Sequence, residues 1–146
     1  MGVEIIRGFS FAITEFVESV HNYIDFKEGI IRKGAIRAQK DLKVIIPLNM
    51  ADGNIIGIGK GNEDWNNSAP HGSGRKMARR KAKENVSLED FKKRMKDAGV
   101  WSTCVSKKTL DESPMAYKDT EETKKYLKDT VDIQVQMKPV YNFKAS

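Results

Sequence analysis

Cysteine and histidine are scarce in this chain: Cys104 is the single cysteine, and His21 and His71 are the two histidines in 146 residues. One thiol cannot close an internal disulfide, so nothing ties the fold to an oxidising compartment and a cytoplasmic location is expected. Neither histidine has a second His or Cys at metal spacing, so the sequence does not encode a complete metal site on its own. Apolar runs are short, none nearing the roughly 18 residues that span a bilayer, and the first residues lack the apolar core of a signal peptide. No membrane partner is expected. Internal repeats and low-complexity tracts are also absent from the sequence.

Charge is what the chain has in quantity. Its 26 Lys and Arg outnumber 20 Asp and Glu, for a net charge of +6 and a pI near 9.4. That balance favours a polyanionic partner and is equally compatible with lysines that are merely solvated. The length fits one domain, but is short for an enzyme that must hold a nucleotide, metals and a macromolecule together.

Hydrophobic periodicity places the elements. Residues 10–22 set Phe11, Phe16, Val17 and Val20 among polar residues, predicting an amphipathic helix from Ser10 with His21 at its C-terminal end. Residues 43–48 and 55–58 are apolar runs rich in β-branched residues around the turn residues 51–54, predicting two strands. Residues 62–73 are polar and rich in turn formers, predicting a surface loop. A basic helix is expected over 74–85, and a second from Ser87, with Asp90 as its capping partner, to Gly99. Residues 100–105 read as a strand, with Trp101 and Cys104 in the core; Trp65 is left unassigned. A short charged helix over 121–129 uses Tyr126 and Leu127 as apolar contacts. Val131, Ile133, Val135 and Met137 alternate with polar residues, the period of a strand with one buried face. The expected class is α+β, a mixed sheet with flanking helices.

The stretch with most chemical potential is Ser68-Ala69-Pro70-His71-Gly72-Ser73-Gly74-Arg75. Small residues admit a phosphate close to the backbone, and Arg75, Lys76, Arg79, Arg80, Lys81 and Lys83 add charge for nucleotide or RNA phosphates. A neutral imidazole is a competent nucleophile toward phosphorus. From local pattern alone, an ordinary loop histidine, a solvated basic face and, for His21, a helix-end dipole partner account for the same residues.

Taken together the segments resemble the RtcB family of RNA ligases. The likeness is carried in order by Val20-His21-Asn22, Arg32-Lys33-Gly34-Ala35, Pro70-His71-Gly72-Ser73-Gly74-Arg75, Ala116-Tyr117-Lys118-Asp119, and Lys138-Pro139 with Lys144. The resemblance implies a partial RtcB-like fold over 1–146, the C-terminal portion of the ligase domain without its metal-binding N-terminal half. It implies His71 as the catalytic residue that takes up GMP, with GTP and Mn2+ as cofactors. His21 would be a metal ligand. Asn22, Pro47, Leu48, Asn49, Met50, Asn54, Gly72, Ser73, Gly74 and Lys144 would line the nucleotide site, with Tyr117 a weaker candidate. Arg75, Lys76, Arg79 and Arg80 would meet RNA. Two positions depart from the family pattern: Pro47-Leu48-Asn49-Met50 replaces Pro-Gly-Ser-Met, and Asn54 replaces a serine.

The expected function is GTP- and Mn-dependent joining of RNA 3′-phosphate or 2′,3′-cyclic-phosphate ends to 5′-hydroxyl ends, as in tRNA splicing and RNA repair. The partners implied are tRNA halves or broken RNA ends, and a missing N-terminal half or a self-associating copy. This chain alone is not expected to seal RNA. The alternative is a non-catalytic RNA- or nucleotide-binding module, or a partner-dependent one, that retains the fold; a remnant turned oligomer interface is a third reading.

Overall fold

The β-branched run at 43–48 makes a hairpin with the one that follows it. In the computed structural model, which describes residues 16–143, β3 (Lys43–Pro47) pairs antiparallel with β4 (Asn54–Gly59). The turn is built by Asn49, whose side-chain oxygen accepts the Ala51 and Asp52 N–H groups, both at 3.0 Å. A third strand, β6 (Val131–Met137), adds to β4, giving the order β3-β4-β6. The second sheet has the order β1-β2-β5, from β1 (His21–Asp25), β2 (Ile30–Arg37) and β5 (Ser68–Pro70). Both sheets are antiparallel, and with the helices they give the α+β class expected.

Alternating side chains of both sheets meet in one core of Ile36, Val44, Ile46, Leu48, Ile55 and Val131, closed by Leu127 of α3 (Thr120–Leu127). A second cluster places Phe91 and Met95 of α2 (Leu88–Asp97) against Met50, Val86, Val100 and Leu110. The Ser87 hydroxyl caps α2 by accepting the Asp90 N–H at 3.0 Å, and Gly99 ends it at φ +70, as their spacing predicts.

Arg32 lies in β2 with only 2% of its surface exposed. Its five N–H groups are all used: on Ser68 Oγ (2.9 Å), Tyr23 Oη (3.2 Å), Asp25 Oδ2 (3.0 Å), the Asn66 carbonyl (3.2 Å) and the Glu28 carboxylate. Arg37 pairs with the same two carboxylates, each at 2.9 Å. Burial works to raise the Asp25 carboxyl, but the Glu28 and Lys27 N–H groups and the two guanidinium groups outweigh it and hold its pKa below the ordinary value. This network stitches β1 to β2 and to the start of β5.

Several expectations are corrected. Residues 10–15 lie outside the described part; residues 16–20 form no helix, Phe16 and Val20 are exposed, and His21 opens a strand instead of closing a helix. The basic helix α1 runs only over Arg79–Asn85. Ahead of it the chain is drawn alongside 116–118, with Lys76 N–H on the Ala116 carbonyl (3.0 Å) and Lys118 N–H on the Gly74 carbonyl (3.1 Å). The polar loop at 62–73 contains β5, whose Ala69 is buried. No strand forms over 100–105: Trp101 makes a single bridge to Tyr141, and Thr103 and Cys104 lie in a turn. Trp101 is 66% exposed and Cys104 half-buried, so neither is core. Tyr126 is exposed while Leu127 is fully buried. In β6 only Val131 is covered; Ile133, Val135 and Met137 are 37%, 49% and 44% exposed, so the apolar face its alternation encodes is open.

Candidate active site around His71

His71 follows β5, and Gly34 in β2 lies beside it. The imidazole Nδ1 is 2.7 Å from the Gly34 carbonyl oxygen, and the His71 N–H donates to the same oxygen at 3.3 Å. A carbonyl only accepts, so Nδ1 carries the proton and the neutral ring keeps its lone pair on Nε2. The other side of Gly34 is held as well, because its N–H donates to Asn22 Oδ1 at 2.7 Å. Gly34 has φ +69, a conformation costly for a side chain, and Asn22 at φ 57 is also left-handed. At Asn22 the β1–β2 register is interrupted between His21 and Tyr23. That irregularity accompanies a parallel stack of the His21 and His71 rings, centroids 5.0 Å apart and planes 8° apart.

His71 opens into a cleft of about 780 Å3, within the roughly 300–1,000 Å3 of small-ligand sites. One wall is the β3–β4 turn, Pro47 to Met50 with Asn54, and the other is 71–75. The walls approach closely at Gly72, where a Cβ would fall 2.9 Å from the Pro47 carbonyl oxygen. Ser73 is structural in both its polar groups: its N–H bonds Pro47 O at 3.2 Å and its hydroxyl Leu48 O at 2.8 Å. The side chains of Leu48 and Met50 are buried, so they offer the cleft mainly backbone. Asn49 is committed to its turn, also donating to Asp52 Oδ2 at 2.8 Å. Burial works to raise the Asp52 carboxyl, yet hydrogen bonds from Asn49 and Thr120 and the charge of Arg94 hold it below its ordinary value.

The third side of the cleft is a polar cluster. Arg75 bonds Glu112 Oε1 (2.7 Å), Tyr117 Oη (2.9 Å) and the Asp111 carbonyl, and its guanidinium lies 4.6 Å from the Tyr117 ring centroid. Tyr117 donates its hydroxyl to Glu112 Oε2 at 2.8 Å. Burial, and then the hydrogen bond to Glu112, push the phenol up to about 12. Arg79 also lines the cleft but is 73% exposed in its side chain, Arg80 is 89% exposed, and Lys76 is exposed. Their contacts, Arg79 to Asp111 at 3.9 Å and Arg80 to Glu84 at 3.6 Å, are long and solvated and leave the charges available to an anion.

The structure thus brings His21, Asn22, His71 and the 47–50, 54 and 72–75 residues to one place. Lys144 lies outside the described residues. Sequence reasoning missed Gly34 as the acceptor for His71, and missed Gly53, Glu112, Pro139, Asn142 and Phe143 as further lining. Asn142 and Phe143 have no local signal, since they reach the cleft only through long-range packing, while Pro139 stands in a segment that carries the resemblance. Among the described residues no three His, Cys, Asp or Glu side chains converge on a point that would hold a metal ion.

The order of these segments can be compared with known proteins. The family model described as tRNA-splicing ligase RtcB matches residues 4–145. This chain belongs to the RtcB family. It is 32% identical over 132 residues to the RNA-splicing ligase RtcB of Escherichia coli strain K12, covering 86% of this chain and 32% of that protein. It is 31% identical over 138 residues to the tRNA-splicing ligase RtcB of Nanoarchaeum equitans, covering 84% of this chain and 29% of the relative. The RtcB of Aeropyrum pernix is 31% identical over 137 residues, 83% and 28% of the two chains. The chain therefore spans about a third of the length of the curated RtcB relatives it matches.

Proposed function

We propose that this chain carries the guanylyl-accepting part of an RNA ligase site, with His71 as nucleophile. The observation that carries the reading is the Nδ1–H bond to the Gly34 carbonyl, which leaves the Nε2 lone pair for attack. Nε2 attacks the α-phosphorus of GTP, an N–P bond forms, and pyrophosphate leaves. The guanylyl group then passes to an RNA 3′-phosphate oxygen, restoring the imidazole. A 5′-hydroxyl attacks the activated phosphorus, and GMP departs as the ends join. A 2′,3′-cyclic phosphate is first opened to the 3′-phosphate by water, which adds at phosphorus as the P–O2′ bond breaks and the 2′-oxygen takes up the proton.

The cleft suits this nucleotide in size and in the close backbone at Gly72, and Arg79 stands at its edge to meet phosphate. Tyr117 and Arg75 form the polar side against which the nucleoside is oriented. Lys76, Arg79 and Arg80 supply the electrostatic attraction for RNA. Mn2+ is the metal we propose, and His21 is the one ligand we assign to it. A catalytic metal site usually takes three protein ligands; the described residues do not provide them.

The test is incubation of the purified full chain with GTP labelled at the α-phosphate and manganese, followed by peptide mapping and a check that the label is lost in acid and kept in alkali, as a histidine phosphoramidate requires. The expected adduct is on His71 and absent from His71→Ala; an adduct on another residue sinks the assignment. Sealing of RNA ends by this chain alone is not expected. A second reading, an RNA- or nucleotide-binding module without chemistry, is favoured by the incomplete ligand set, and it is the outcome if nucleotide binds but no covalent label forms.

A further inference from the structure

Trp101 is a large apolar residue left outside the core, and its surroundings say what it is suited to meet. Its backbone is fixed from both sides: its N–H donates to the Val140 carbonyl at 3.0 Å and its carbonyl accepts the Asn142 N–H at 2.9 Å. The indole leans on Tyr141, centroids 5.2 Å apart at 32°, and the Tyr141 hydroxyl is 3.2 Å from Thr103 Oγ1. Together with Lys92, Lys96 and Val100 it lines a second cavity, of about 450 Å3. Lys92 and Lys96 are one turn apart on α2, so they project from the same face. Among the described residues neither ammonium has a carboxylate partner, and no Asp or Glu lines the cavity.

An exposed aromatic face on a rigid backbone offers stacking, and unpaired ammonium groups offer phosphate contact. Unpaired nucleotides present both complementary groups at once, a flat base and an anionic linkage. The cavity and the His71 cleft share no lining residue, but one segment touches both. Residues 139–143 pin Trp101 on one side, and Pro139, Asn142 and Phe143 line the His71 cleft on the other, with Phe143 66% exposed.

We propose that Trp101, Tyr141, Lys92 and Lys96 form a stacking platform for one or two unpaired nucleotides of an RNA strand whose end lies in the His71 cleft. The proposal rests on the reading of this chain as part of an RNA ligase site, and it adds where the strand runs once it leaves the cleft. It also accounts for a tryptophan that packing does not use.

The test uses the full chain carrying Trp65→Phe, so that Trp101 is the only indole, titrated with a single-stranded RNA of about ten nucleotides and, separately, with duplex RNA of equal charge. Saturable quenching of Trp101 emission by the single strand, and much less by the duplex, is expected. Trp101→Ala should weaken single-strand binding on the order of tenfold or more, and Trp101→Phe should keep most of it. Lys92→Ala with Lys96→Ala should reduce the slope of log K against log salt by about 1.4, two phosphates at about 0.7 each. Unchanged Trp101 emission on binding, equal quenching by the duplex, or no RNA binding overturns the platform. So does a concentration-dependent dimer mass lost in Trp101→Ala, which makes this face a self-interface. Guanylylation of His71 measured in Trp101→Ala separates the two readings: label retained with RNA binding lost supports the platform, while quenching by RNA without any label in the parent chain removes the nucleophile and leaves the platform standing.

Discussion

The imidazole Nδ1 of His71 and the carbonyl oxygen of Gly34 are 2.7 Å apart, and this one contact sets which ring nitrogen is free to react. Nitrogen-15 NMR of the neutral histidine should therefore report the Nδ1–H tautomer for His71. Gly34→Ala forces a side chain into φ +69, costing about 1–2 kcal/mol by urea denaturation. It should also mix the tautomers by displacing the carbonyl. A stable Gly34→Ala with an unchanged His71 spectrum would show that the carbonyl does not select the tautomer.

Two carboxylates, Asp25 in the Arg32 network and Asp52 in the β3–β4 turn, predict how acid unfolds the protein. Asp25 and Asp52 have pKa values below the 3.8 of the unfolded chain. Each contributes stability that is whole above about pH 3.8 and is lost as the pH falls toward the folded value. Asp25→Asn should flatten the acid limb of the stability curve. Arg32→Ala, which leaves two carboxylates without their buried partner, should cost about 3–5 kcal/mol. An acid limb of the same steepness in Asp25→Asn would remove Asp25 from the account.

Tyr117 gives the alkaline counterpart. Its phenol titrates at about 12 in the folded protein against 10.0 unfolded, so its contribution is intact below pH 10 and is lost as the pH rises to 12. Spectrophotometric titration should show one tyrosine ionising late, and Tyr117→Phe should delete that step at a stability cost of about 1 kcal/mol. If the late step persists in Tyr117→Phe, it belongs to another tyrosine.

The open face of β6 should be tolerant where its covered end is not. Ile133→Thr and Val135→Thr should change stability by less than about 0.5 kcal/mol, as at other surface positions. Ile55→Ala, in the neighbouring strand and fully buried, should cost about 2–5 kcal/mol. Equal losses at Ile133 and Ile55, read from denaturant midpoints, would mean that β6 is covered in solution.

Elements governed by neighbours in sequence were legible before the structure. The β3–β4 hairpin follows from two apolar runs and the Ala51–Asn54 turn residues, though not the part Asn49 plays, and α2 from its Ser87 cap and Gly99 stop. Elements governed by distant pairing were not. Residues 74–78 look helical locally, but Gly74 and Lys76 bond to 118 and 116 and Arg75 bridges Tyr117, so the helix starts only at Arg79. Trp101 reads as core because 100–105 reads as a strand, and only tertiary placement leaves it outside. At the candidate site the His71 motif was readable, whereas its acceptor Gly34 is 37 residues away and carries no mark of the role.

Gln136, at the end of β6, reaches back 84 residues to donate to the Asp52 carbonyl at 2.9 Å. The β3–β4 turn can form early because its partners are adjacent, but β6 and the 139–143 wall must wait for a long loop to close. Closing the cleft therefore carries a larger loop-closure cost than closing the hairpin, and its second wall is expected to form after the first. A ligand held in the cleft is therefore expected to slow unfolding more than it speeds folding, which stopped-flow measurements with and without nucleotide would check.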